Sequence, residues 1–164
     1  MERVLGQAIA EAGGQGRRCE LVMLGDYIDR GPSSLGVLRR LVAMDQRLGV
    51  PVHRLLGNHD QLLLECLRHQ PDPDDLALWL ANGGGTVLAE CGIGEVDPDD
   101  ADPAAVAAQL RARIGPELTG LLKELKLGWP SGGYLFAHAG VQPAQQLATQ
   151  QASELIWIRE PFLT

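Results

Sequence analysis

Apolar residues recur along this chain in two rhythms. Val4, Ala8 and Ala12, with Leu5 and Ile9, share one face at helical spacing, so residues 4–12 are expected to be helical until Gly13-Gly14-Gln15-Gly16 ends them. Residues 20–24 form a short apolar run closed by Gly25, and residues 50–56 form a second closed by Gly57; both read as buried strands. Between them Leu35, Leu38, Leu41, Val42 and Leu48 follow a helical period over 33–48, entered through Pro32-Ser33. Residues 61–67 are helical in pattern. Strand, loop, helix, strand, loop, helix predicts a βαβ unit with a parallel sheet, in which ligands bind beyond the carboxyl ends of the strands.

The middle of the chain has a different character. Residues 72–80, 104–114 and 117–127 carry helical patterns, separated by an acidic, proline-broken stretch at 95–103. Residues 132–137 return to strand character and end at His138-Ala139-Gly140. There is no internal repeat and no linker, and 164 residues fit one domain.

Composition narrows the function classes. Net charge is −7, so an electrostatic grip on nucleic-acid backbones is not expected. Cys19, Cys66 and Cys91 are odd in number and widely spaced, which predicts free thiols in a reducing compartment. No apolar run approaches the ~18 residues of a membrane span, and Met1-Glu2-Arg3-Val4-Leu5-Gly6 lacks the shape of a secretion signal. A cytoplasmic protein that binds no membrane is the expectation.

Three segments carry chemistry. Gly25-Asp26-Tyr27-Ile28-Asp29-Arg30-Gly31 packs two carboxylates and an arginine into a turn after the first strand. Gly57-Asn58-His59-Asp60 follows the second; an Asn oxygen can ligate a metal, and a neighbouring His can act as a general acid. Phe136-Ala137-His138-Ala139-Gly140-Val141 ends a third strand with a histidine between small residues. Alone, each has an ordinary reading: a surface turn with an Asp29–Arg30 pair, a helix-capping turn, a structural histidine. Their joint occurrence, each directly after an apolar strand, makes coincidence a poor explanation.

These segments, with Leu155-Ile156-Trp157-Ile158-Arg159-Glu160-Pro161-Phe162-Leu163 and the Trp79…Asn82-Gly83-Gly84-Gly85-Thr86 stretch, resemble the calcineurin-like metallophosphoesterases. Among these the chain looks most like bacterial Ser/Thr protein phosphatases of the phosphoprotein-phosphatase type. The resemblance implies an α/β fold: part of a four-layer β-sandwich flanked by helices, in a single domain over 1–164 with a helical cap at approximately 70–127. It implies that Asp26 bridges two divalent metal ions, manganese first and iron or zinc as alternatives, and that Asn58 and His138 ligate the second ion. His59 is then the general acid, Asp29 its orienting partner, and Arg30 and Arg159 the phosphate-binding arginines. The implied substrate is phosphoserine or phosphothreonine in proteins or a small phosphoester, with diadenosine polyphosphates as the alternative. Asp29 favours the first, because the dinucleotide hydrolases compared carry a small residue there. A phosphate- or partner-binding module without catalysis is the alternative of another class.

Part of the family's ligand set is not found. No histidine is preceded by Asp two positions earlier, and none follows His138, which leaves the first metal with Asp26 alone. His53 and His69 are read as ordinary histidines. A chain truncated at both ends is expected over a decayed enzyme, with self-association through exposed sheet edges. Three other signals are set aside: the acidic run 97–102 lacks the glycine and glutamate of a calcium loop, Gly83-Gly84-Gly85-Thr86 lacks the lysine of a phosphate-binding loop and reads as a turn or close-packing point, and the arginine pairs 17–18 and 39–40 are too short to mark nucleic-acid binding.

Overall fold

The computed structural model of the chain describes residues 2–163. It is a mixed α/β structure whose strands come as two pairs. β1 (Leu21–Met23) and β2 (Val52–Arg54) run parallel, with Leu21 opposite Val52 and Met23 opposite Arg54. The crossover between them contains α2 (Ser34–Val42) and α3 (Met44–Leu48), which makes the expected βαβ unit. The single helix expected over 33–48 is interrupted at Ala43 (φ −97°, ψ 8°), and Gly49 in the left-handed region (φ 65°) ends α3. Asp45 then ties α3 to the sheet: its Oδ1 accepts the Val52 N–H at 2.8 Å, and its Oδ2 meets the Arg54 guanidinium at 2.7 Å. The same guanidinium donates to the Leu41 carbonyl at the end of α2.

β3 (Gly128–Ser131) and β4 (Tyr134–Ala137) form an antiparallel hairpin, turned by Gly132 and Gly133 at φ 58° and 84°. Two consecutive positive φ angles are what a tight two-residue hairpin turn needs, and glycine accepts them freely. β3 is an element that the apolar pattern did not announce, since Gly128-Trp129-Pro130-Ser131 has no alternation. The hairpin docks on the parallel pair through side chains. The Trp129 ring stacks on His53 (3.5 Å between centroids, 14° between planes), and the Trp129 indole N–H and Ser131 hydroxyl both donate to the Glu20 carboxylate. His53 is engaged both by this stack and by a 3.0 Å contact of its Nε2 with the Glu20 carboxylate, and His69 is exposed.

The helices α4 (Asn58–Cys66), α5 (Pro73–Trp79), α6 (Gly85–Glu90) and α7 (Pro103–Lys123) share one buried apolar cluster with α2. Leu38, Leu63, Trp79, Val87, Leu110 and Leu122 are all fully buried within it. Pro73 and Pro103 sit at the first turns of α5 and α7, and the carboxylates of Asp72 and Asp102 cap them. α7 is broken at Gly115 (φ 81°, ψ 165°) before Pro116, which separates the two helical patterns of the sequence. Beyond these lie α1 (Glu2–Gly14) and α8 (Ala152–Trp157). Cys66 and Cys91 are buried free thiols and Cys19 is a half-buried one. Among the described residues no helix is long and apolar enough to cross a membrane.

Candidate metal and phosphate site

The turn after β1 is shaped by backbone that few residues adopt. Asp26, Asp29 and Arg30 all have positive φ (57°, 64° and 53°), and such strain in non-glycine residues persists only where surrounding contacts over-determine it. Those contacts centre on Asp60, whose carboxylate is fully buried. Its Oδ2 accepts the N–H of Asp26 (2.8 Å) and of Gly57 (3.0 Å), and its Oδ1 accepts the N–H of Tyr27 (3.0 Å). Asp60 is the third residue of α4, so its bond back to Gly57 N–H also caps the helix start. For this reason α4 begins at Asn58, three residues before the apolar pattern does. Burial, opposed by the three N–H donors, pushes the Asp60 carboxyl up to about 6.

The two loops are drawn into contact that only glycine permits. A side chain on Gly25 (φ 98°) would lie 2.5 Å from Gly57 N and 3.0 Å from His138 Nδ1, and one on Gly57 would collide with Asp26.

Three side chains converge where the loops touch. His138 Nε2 lies 3.5 Å from Asp26 Oδ1 and 3.1 Å from Asn58 Oδ1. The Asp26 Oδ1 also accepts the His59 N–H at 3.3 Å. On its far side, His138 Nδ1 sits 2.7 Å from the Leu24 carbonyl. A carbonyl can only accept, so Nδ1 carries the proton and the Nε2 lone pair faces Asp26 and Asn58. That tautomer, fixed by a backbone carbonyl, is the one a metal-ligating histidine uses. β4 therefore delivers His138 to the end of β1 without pairing with it: its ladder partner is β3.

Beside this cluster stands a buried dyad. His59 Nδ1 is 2.7 Å from Asp29 Oδ2, and both residues are about 95% buried. Burial raises the Asp29 pKa, and the bond to His59 opposes the rise. The other Asp29 oxygen and the Trp79 indole N–H are buried close together outside direct hydrogen-bond geometry.

The remaining expected residues are placed differently. Arg30 is exposed, and among the described residues no hydrogen bond or ion pair holds its guanidinium. Arg159 is exposed too, but its guanidinium turns back onto the Ile158 and Trp157 carbonyls, so the structure does not bond it to the cluster. Its neighbours do reach the site's supports. The Ala139 N–H donates to the Leu155 carbonyl (2.8 Å), the Trp157 indole donates to Gln61 of α4 (2.7 Å), and Gly140 lies flat against the Phe162 ring. The sequence motif alone does not disclose this role of Asp60, although its spacing three residues after Gly57 at a helix start is the pattern of a reciprocal helix cap.

The donor set fits one divalent cation: a carboxylate, an amide oxygen and an imidazole nitrogen, all drawn to one point. Among the described residues no three His, Cys, Asp or Glu side chains gather to hold a metal, so this cluster depends on the Asn58 oxygen and no second set of donors stands beside it.

The calcineurin-like phosphoesterase profile matches residues 3–160, and the chain belongs to that family. It is 29% identical over 143 residues to a protein of Janthinobacterium sp. (strain Marseille), covering 85% of this chain and 41% of that protein. It is 32% identical over 133 residues to one of Glaesserella parasuis serovar 5 (strain SH0165), covering 81% and 38%. A third relative, from Acidovorax sp. (strain JS42), is 34% identical over 104 residues, covering 49% and 36%. Each of the three is named a symmetrical bis(5'-nucleosyl)-tetraphosphatase. The chain thus spans about two fifths of the length of these relatives. No solved structure matches it.

Proposed function

We propose that the cluster of Asp26, Asn58 and His138 is the metal-binding half of a phosphohydrolase site, and that its substrates are nucleotides of the dinucleoside polyphosphate class. The observation that carries this is the convergence of His138 Nε2, Asp26 Oδ1 and Asn58 Oδ1 beside a buried His59–Asp29 dyad. The names of the relatives support a nucleotide substrate over a phosphoprotein.

A divalent ion held by Asp26, Asn58 and His138 would supply an activated water and neutralise charge on the phosphoryl group. Manganese, iron and zinc all suit such an oxygen and nitrogen donor set. The chain's own groups divide the rest. Asp29 holds His59 with Nδ1 protonated toward it, which leaves Nε2 as the atom that delivers a proton to the departing oxygen. Arg30, exposed on its turn and without a partner among the described residues, offers a planar fork to two phosphoryl oxygens. His138 is kept in one tautomer by Leu24, so its Nε2 lone pair faces the Asp26 and Asn58 oxygens.

The second reading, a phosphoserine or phosphothreonine phosphatase, draws on Asp29 itself. Its carboxylate is bonded to His59 at 2.7 Å, where a small residue could make no such contact.

Turnover of diadenosine tetraphosphate, a phosphoserine peptide and p-nitrophenyl phosphate with added Mn²⁺ separates these readings. The nucleotide reading expects the dinucleotide to be hydrolysed fastest, with loss of activity in Asp26→Asn. A preference for the phosphopeptide would favour the second reading. Turnover of none, with phosphate still bound, would leave only a binding module.

A further inference from the structure

Arg30 owes its place to a contact that the motif around it does not contain. Asp29 and Arg30 are consecutive left-handed residues, and within their own loop they are held by the Ser34 hydroxyl, which accepts the Asp29 N–H at 3.1 Å. On the other side lies a break in the helical run that follows α5. Leu80–Gly84 forms a π-helical turn in which Gly83 leaves helical geometry altogether (φ 108°, ψ 12°). Gly83 faces the strained turn directly: a Cβ there would sit 3.3 Å from Arg30 Cγ, 3.7 Å from Arg30 N and 3.8 Å from Asp29 Cβ.

Gly83 is itself braced from behind. A Cβ on Gly84 would lie 2.5 Å from Trp79 Cδ2, inside the indole ring, and Trp79 is fully buried. The Gly84 backbone therefore rests flat on an immobile ring. The Thr86 hydroxyl donates to the Gly83 carbonyl (3.1 Å) and Asn82 Nδ2 to the Leu78 carbonyl (2.8 Å), which fixes the turn at both ends. A long, exposed side chain thus has its stem beside a braced backbone, and among the described residues no hydrogen bond or ion pair holds its guanidinium.

We infer that the Trp79–Gly83–Gly84 step is a positioning element for Arg30, holding its stem so that the guanidinium is pre-oriented for a phosphoryl group. This rests on the reading of Arg30 as the phosphate-binding arginine. The two glycines of the step have separate roles. Gly83 supplies a surface without a side chain at a φ that L-residues avoid, and Gly84 transmits the rigidity of Trp79. Freezing the arginine before substrate arrives removes part of the ordering cost of binding.

The test starts with the unaltered chain. A nuclear Overhauser contact between Gly83 Hα and the Arg30 side-chain protons, with restricted ¹⁵Nε relaxation for Arg30, is expected; absence of both overturns the inference without any variant. Gly83→Ala is then compared with Gly85→Ala, whose new Cβ meets nothing within 4 Å and whose φ of −54° suits alanine. With both variants folded by circular dichroism, Gly83→Ala should free Arg30 Nε on the relaxation timescale. It should also weaken inorganic phosphate binding in the presence of Mn²⁺ by about tenfold, while Gly85→Ala leaves both unchanged. In an Arg30→Ala background, Gly83→Ala should weaken phosphate binding no further, because the two residues act as one. Additive losses would mean that Gly83 acts elsewhere and would refute the positioning role. If Arg30→Ala alone leaves phosphate affinity intact, the functional reading of Arg30 fails, while the contact and relaxation data still decide whether Gly83 holds it.

Discussion

Replacing Asp60 by asparagine sets two effects of known sign against each other at one buried point. The carboxylate gathers three backbone N–H groups, two on Oδ2 and one on Oδ1. An asparagine that keeps its oxygen in the Oδ2 position turns its NH₂ on the Tyr27 N–H, and one buried donor left without an acceptor costs about 1–3 kcal/mol. Against that loss stands the cost of burying charge. The Asp60 pKa is raised by burial from 3.8 to about 6. Between those two values the folded chain binds more protons than the unfolded one, so this residue's contribution to stability falls as pH rises through the window. The total fall is about 3 kcal/mol, from the difference of roughly two pK units at 1.36 kcal/mol each. Neutral asparagine has no such dependence. Urea unfolding of metal-free wild type and Asp60→Asn from pH 4 to pH 7.5 should therefore show a variant that is less stable at the acid end. Its deficit should shrink or reverse by pH 7. A deficit that is constant, or grows with pH, would show that the three N–H donors outweigh burial and that Asp60 stays ionised throughout.

Other perturbations have simpler signs. His59→Gln should lower kcat by about 10²- to 10⁴-fold on substrates with poor leaving groups, and far less on p-nitrophenyl phosphate, whose leaving group needs no proton; equal losses on both would deny His59 the role of acid. Gly84→Ala drives a methyl group into the fully buried Trp79 ring and should cost about 1–3 kcal/mol in urea unfolding, whereas an unchanged midpoint would show that the ring can yield. The hairpin leaves Tyr134 (74% exposed) and nearby Leu147 (59%) open to solvent. Light scattering at rising concentration should accordingly detect self-association, reduced by Tyr134→Lys, and a monodisperse monomer would contradict it.

The fold was legible where burial is one-sided and local. Leu35, Leu38 and Leu41 announce α2, and the apolar runs before Gly25 and Gly57 announce β1 and β2, because a residue's neighbours in sequence share its environment there. Gly115-Pro116 separated the two halves of α7 for a purely backbone reason. β3 escaped because Pro130 breaks alternation and Trp129 packs on distant His53, while its strand character comes from pairing with β4 across the Gly132-Gly133 turn. The start of α4 escaped because it is set by Asp60, a polar residue whose value lies in bonds to Asp26 and Tyr27 more than thirty positions away. In the site, motif order foretold the meeting of Asp26, Asn58 and His138. The sequence marks Gly83-Gly84-Gly85-Thr86 as a turn or close-packing point, but that its neighbour is the Arg30 stem depends on contacts distant in sequence. The resemblance offers Arg159 as a phosphate ligand, whereas its guanidinium is turned onto its own backbone.

As proposed, Asp26, Asn58 and His138, and only those three among the described residues, build a cation site. Titration of Mn²⁺ into the metal-free chain, followed by the loss of the free-ion electron paramagnetic resonance signal, measures it most directly. One ion per chain should bind, and both His138→Ala and Asp26→Asn should abolish that binding while the fold is retained. Two tightly bound ions, or a single ion that survives either substitution, would contradict the account.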